Sequence, residues 1–407
     1  MKTFGSIDRK MPALGESCLH TLMRYLGYQI ELLKAKGGIH LSEHERVPTL
    51  RLLFLSDGVS YLNERQISPF YCFREALRRE LGVVFHHVIL NPTSLPSQRD
   101  LRGFDIIVPK LHYKMPPEDV SRIAIGIRKA ASPRSRIIYF DGRDDLCIQF
   151  PELLVNSDLY VKRHVFRDRS MYLKRYVGSI NLTDYVYRQH GSFALNGDEG
   201  MSEPIGVEDL PRIHCGMSFG MDDVMISLME RFQDVSLDVR REIDVICRAN
   251  VPDNWMGYLR RPVMKVLDQL ESSGLSVITP EKRVTQEQYY REMLGSKICV
   301  SPLGYGEVCY RDYEAVIFGC LLIKPVMSHA EVYPDIFRPY ETYVPVAWDY
   351  SDLEEKINYY LQHEEERLNI ANRAHAILKG CHQAGNFIRN VASMMDKTQY
   401  EYEATAT

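Results

Sequence analysis

Residues 301–325, SPLGYGEVCYRDYEAVIFGCLLIKP, concentrate the residue types that bind anions. An apolar run ends in a turn containing Gly304, Tyr305 and Gly306, and Glu307, Arg311 and Glu314 follow in a helical pattern. Glycine in such a turn lets backbone approach a ligand more closely than a side chain would allow. A helix is expected over 307–319, beginning near Glu307, with its free N–H groups at the mouth of the sheet, where a phosphate is stabilised. Arg311, one turn in, can add bidentate charge to that phosphate. Glu314 shares the same helix face and can accept hydrogen bonds from a ribose diol.

These groups need a scaffold, and the apolar pattern supplies one. Strands are expected at 51–58, 83–90, 104–110, 136–145 and 158–166, with helices at 11–37, 66–81 and 117–131. The runs are short and continuously apolar, as in parallel strands buried on both faces. Residues 182–225 are more polar and read as a long connection. A second alternation follows, with strands at 244–250, 275–280, 297–304 and 320–326 and helices at 255–273, 285–294 and 307–319. Three more helices, at 351–362, 364–379 and 383–396, complete it. The expected fold is α/β, with two Rossmann-like domains facing a cleft. Residues 1–215 form the first domain, 216–382 the second, and 383–407 a helix that crosses back to the first.

The order Arg311, Glu314-Ala315, Gly319-Cys320 between two strands resembles the nucleotide-binding signature of GT-B glycosyltransferases, closest to the exostosin-like and group 1 types. The resemblance is good over roughly 240–360 and only architectural before that. It implies that Glu314 contacts the ribose of a sugar nucleotide and that basic residues hold its diphosphate. Arg248, at a strand end, and Arg261, within RRPVMKVL, are the further candidates for that task, with Arg260 as an alternative to Arg261. Retaining relatives carry two Glu set one residue further apart than Glu307 and Glu314, so the stereochemical outcome stays open. The resemblance also implies a donor held by the second domain, a hydroxyl acceptor on a glycan or small molecule, and no cofactor or metal.

Transfer with inversion needs a carboxylate or His within reach of the acceptor hydroxyl. In the resembling enzymes it usually comes from the first domain, at strand ends facing the cleft. Asp141 directly follows the strand in RIIYFDGRDD and is the first choice, with Asp57 of RLLFLSDG beside it. Asp144 and Asp145 occupy similar positions, whereas His112 and His164 read as structural, and Lys324 as a solvated strand end. Two alternatives remain: a metal-dependent GT-A-like transferase using the DGRDD carboxylates, and a non-catalytic nucleotide or sugar-binding module. A two-Rossmann epimerase or dehydrogenase is disfavoured because SDGVSY, after the first strand, lacks the dinucleotide fingerprint.

The whole chain sets outer limits. Its 407 residues suggest two to three domains at about 150 residues each. A net charge of −4 without a basic stripe argues against a nucleic-acid partner. No stretch approaches the length of a bilayer span, which leaves room only for peripheral membrane association. The start lacks the apolar centre of a secretory signal. Nine Cys, an odd number without a CxxC pair, point to a reducing cytoplasm rather than to a disulfide framework or a zinc site.

Overall fold

The computed structural model describes residues 50–58, 65–90, 95–195, 200–232, 240–280 and 283–405. The helix expected over 11–37 lies outside the described residues.

The first domain is built on β1 (Leu50–Ser56), β2 (Val83–Ile89), β3 (Ile106–Lys110), β4 (Arg136–Asp141), β5 (Leu159–Lys162), β6 (His164–Phe166) and β7 (Ile213–Cys215). Six of these form a parallel sheet in the order β2-β1-β3-β4-β5-β7. Leu52, Leu53, Phe54 and Leu55 are all buried, because helices cover both sheet faces. Successive side chains point to opposite faces. Leu53 and Leu55 accordingly join one apolar cluster, while Leu52 and Phe54 join another.

The second domain contains β8 (Ile243–Ile246), β9 (Val277–Ile278), β10 (Ser296–Val300), β11 (Leu321–Pro325), β12 (Ala330–Val332) and β13 (Val344–Val346). Its sheet, also parallel, runs β13-β11-β10-β8-β9. Helices Trp255–Ser272, Gln286–Leu294 and Tyr310–Ile317 provide the crossovers. The side chains of Asn254 and Thr285 accept backbone N–H groups at the starts of the first two. Two Rossmann-like sheets thus face one another.

The joins between the domains were not legible in the apolar pattern. The expected strand 158–166 breaks at Arg163; β5 stays in the sheet, while β6 leaves it to pair antiparallel with β12. Arg167 donates to the Ser328 and Ala330 carbonyls, and Arg169 pairs with Glu331 at 2.7 Å. The stretch 182–225 is not a bare connection: it carries most of helix Asn181–His190, strand β7 and the start of helix Asp223–Phe232. β7 has only three residues and is held by pairing with β5, so local pattern gave no sign of it. The helix expected over 66–81 is two segments, Ser68–Cys72 and Arg74–Leu81, broken at Phe73.

The last helix, Ala384–Thr405, packs on the first domain. Phe387, Ile388, Val391 and Met394 are buried in the cluster that holds Leu52 and Phe54. The Phe387 ring stacks on Phe73 at 4.7 Å and meets Phe70 edge-on at 5.4 Å. Among the described residues, no helix is long and apolar enough to cross a membrane.

Candidate functional site

Two turns, one from each domain, meet between the sheets. The turn of the second domain, residues 304–306, follows β10. Its tightness comes from the Gly304 N–H donating to the Gly306 carbonyl at 3.0 Å, which leaves Tyr305 at the tip, 62% exposed. The helix behind it begins at Tyr310 rather than near Glu307. Asp312 accepts the Cys309 N–H at 2.9 Å, so a resident carboxylate occupies part of this helix start. Lys324 in turn binds Asp312 at 2.7 Å and the Glu307 carbonyl at 2.6 Å, fully buried. It is an internal ion pair, not a solvated strand end.

Positive charge reaches this turn from two guanidinium groups. Arg260, on helix Trp255–Ser272, donates to the carbonyls of Leu303 and Asn250, and a Cβ on Gly304 would lie 3.0 Å from its Nη2. Arg311 donates to Ser301 Oγ and the Arg248 carbonyl, each at 3.4 Å. Both contacts lie at the carboxyl ends of β10 and β8, the usual ligand-binding edge of such a sheet. Neither arginine has a carboxylate partner among the described residues. Burial lowers the Arg260 pKa, and the neighbouring positive charge of Arg311 lowers it further. Two like charges thus lie beside one glycine turn.

Glu314 lies on the same helix as Arg311 and accepts the Tyr289 hydroxyl at 2.8 Å with one oxygen. Its other oxygen has no hydrogen bond among the described residues. Burial raises its pKa, while Tyr289 and Arg311 oppose the rise.

The opposing turn, residues 141–145, follows β4. Asp141 accepts Lys162 Nζ at 2.7 Å, the Tyr160 hydroxyl at 2.9 Å and the Arg143 N–H at 2.9 Å. Burial alone would raise its pKa, but Lys162 and these hydrogen bonds hold it down at about 2. Asp145 pairs with Arg143 at 2.7 Å. Asp144 has no ion pair or side-chain hydrogen bond among the described residues. Its side chain keeps surface open to solvent, yet protein crowds it closely enough that desolvation raises its pKa to about 6, against the opposing charge of Arg163.

Contact between the turns is direct. A Cβ on Gly306 would fall 1.5 Å from the Asp144 carbonyl oxygen, so only glycine permits this approach. Beside it, Glu307 is buried and accepts Asn181 Nδ2, from the first domain, at 2.6 Å. His329 Nε2 lies 3.6 Å from the same Glu307 oxygen, and the second oxygen is buried without a partner among the described residues. Burial would raise the Glu307 pKa, but His329, His164 and Asn181 hold it below the usual value.

Residues 253–393 match a protein family described as glycosyl transferase-like. The match lies within the second domain and the start of the last helix, and leaves the first domain's sheet outside it. No curated protein matches the chain by sequence. Among solved structures, an alpha-glucosyltransferase (AGT) in complex with UDP is similar at 10% identity, covering 86% of this chain and 99% of that one, with a TM-score of 0.43. Anabaena HepE in complex with UDP-glucose is similar at 13% identity, with 85% and 99% coverage and a TM-score of 0.42. A glycosyltransferase from Rickettsia africae ESF-5 gives 10% identity, 87% and 99% coverage and a TM-score of 0.45.

Within the matched stretch, Gly304, Tyr305, Gly306, Glu307, Arg311 and Glu314 all lie on the turn or the helix behind it. Arg248 does not join them through its side chain: it forms a bidentate pair with Glu292 at 2.9 and 2.7 Å. Arg261 points outward to Asp253 at 3.1 Å and over the Tyr258 ring, and Arg260, one residue earlier, faces the turn. In a helix one residue is a rotation of about 100°, so adjacent arginines cannot share a face. In the first domain, Asp57 caps the loop after β3 by accepting the His112 N–H. Asp141 sits at its strand end but is consumed by Lys162. Sequence reasoning singled out neither Asn181 nor His329; each is an isolated polar residue whose partner lies in another part of the chain.

Proposed function

We propose that the protein is a glycosyltransferase that moves a sugar from a nucleoside-diphosphate donor, held by the second domain, to a hydroxyl of a glycan or small molecule. The observation that carries this is the pair of carboxylate-free guanidinium groups, Arg260 and Arg311, on the Gly304–Gly306 turn. In this reading the two arginines neutralise the diphosphate without a metal, and the open oxygen of Glu314 accepts a ribose hydroxyl. Asp144 takes the proton from the acceptor hydroxyl. The acceptor oxygen then bonds to the anomeric carbon as the carbon–oxygen bond to the diphosphate breaks, and the electron pair leaves with the diphosphate. Such a single displacement inverts the anomeric centre.

Two observations favour this over the alternatives. Asp141 and Asp145 are each paired to a cation, which leaves the metal-dependent reading short of ligands in DGRDD. The backbone of Asp144 in the first domain abuts the Gly304–Gly306 turn, an interdomain approach that a single-domain binding module would not need. The free thiols of the described cysteines fit a reducing cytoplasm, where we place the protein.

The test is a panel of UDP, GDP, CMP and ADP, read as melting temperature in excess EDTA. One nucleotide diphosphate should raise the transition, and the rise should vanish in Arg311→Met. A folded protein that no nucleotide stabilises, or one that responds only with a divalent ion, contradicts the reading.

A further inference from the structure

The turn that presents Asp144 is gripped by three consecutive residues at the β5–β6 junction. Lys162 Nζ binds the Asp141 carboxylate at 2.7 Å, Arg163 Nε donates to the Gly142 carbonyl at 3.1 Å, and His164 Nε2 meets the Asp144 carbonyl. The His164 side chain is fully buried, and burial lowers its pKa to about 4. The ring is therefore neutral at pH 7, and its bond to a carbonyl places the proton on Nε2, making His164 the donor. The same carbonyl is the atom against which Gly306 of the other domain packs. His164 thus holds, from one side, the group that the donor turn touches from the other. It also begins β6, the strand that pairs with β12 of the second domain.

We propose that His164 is a positioning residue that sets the height of Asp144 over the donor turn, so that its carboxylate reaches the acceptor hydroxyl only while the Nε2–H···O=C bond to Asp144 is made. This inference rests on the reading of Asp144 as the base. His164 touches neither donor nor acceptor; it acts through the turn.

The experiment compares His164→Asn with His164→Gln, side chains that offer the same amide donor and differ in reach by one methylene. Nucleotide release from UDP-glucose, UDP-N-acetylglucosamine and GDP-mannose identifies the donor turned over fastest by the unmodified protein. With that donor, His164→Asn should lower kcat by about 100-fold, the cost of a displaced reacting group. KM for the donor and the nucleotide Kd from calorimetry should change less than about 2-fold, because Arg260, Arg311 and Glu314 are untouched. His164→Gln, whose amide reaches the carbonyl, should recover most of kcat. Unchanged kcat in a folded His164→Asn overturns the proposal. Equal losses in both variants, accompanied by weaker nucleotide binding, also overturn it and leave His164 a fold-supporting residue. Asp144→Asn is run in parallel: if it keeps full turnover, the base assignment fails independently of His164.

Discussion

Among the three carboxylates of DGRDD, chemistry is decided by neighbours rather than by identity. Asp141 is fixed as an anion by Lys162, with its pKa near 2, and is unfit to take up a proton at pH 7. Asp144, unpaired among the described residues and raised to about 6, is matched to proton transfer near neutrality. A base works only when ionised, so kcat/KM should fall as pH drops through about 6 and level off above it. A raised pKa puts this limb well above the ordinary Asp range, near 4. Asp144→Asn should lower kcat by about 100-fold to 10,000-fold and remove the limb near pH 6. A limb that persists in that variant assigns the base elsewhere.

At the scale of elements, the helix Tyr310–Ile317 does two jobs with one turn of spacing. Its first turn is closed by Asp312 and anchored through Lys324, which fixes where Arg311 and Glu314 project. Breaking that buried ion pair would cost stability before it said anything about binding. Glu314 is the better probe, since among the described residues its side chain bonds only Tyr289. Glu314→Ala should weaken nucleotide binding by about 1.5–3 kcal/mol in calorimetry while the protein remains folded. Unchanged affinity removes Glu314 from the ribose site.

Over the whole molecule, the last helix ties the chain's end to its beginning. Phe387 is fully buried against Phe70 and Phe73, and it sits in the first domain's core although it follows the second domain in sequence. Phe387→Ala should destabilise the protein by about 3–5 kcal/mol, seen as an earlier denaturant midpoint. Nucleotide binding should survive wherever the protein is still folded, because Arg260, Arg311 and Glu314 belong to the other domain. If binding falls in step with stability, the last helix also supports the donor site.

Much of this was written in local pattern. Apolar runs such as RLLFLS and KICV announced buried parallel strands, because a strand covered on both faces needs no alternation. The glycine turn, Arg311 and Glu314 were legible together because one helical turn fixes their relation whatever surrounds them. The apolar face around Phe387 was visible for the same reason. What the sequence could not settle depended on partners distant along the chain. Lys162 takes Asp141 out of proton chemistry across β4 and β5, and Glu292 takes Arg248 away from the Gly304–Gly306 turn. Asn181 reaches Glu307 across the cleft, and β6 leaves its sheet for β12. Spacing determines which side chains share a face. Ion pairing and desolvation decide which of them stays free to react, and both are set by the packing of segments that only the tertiary structure brings together.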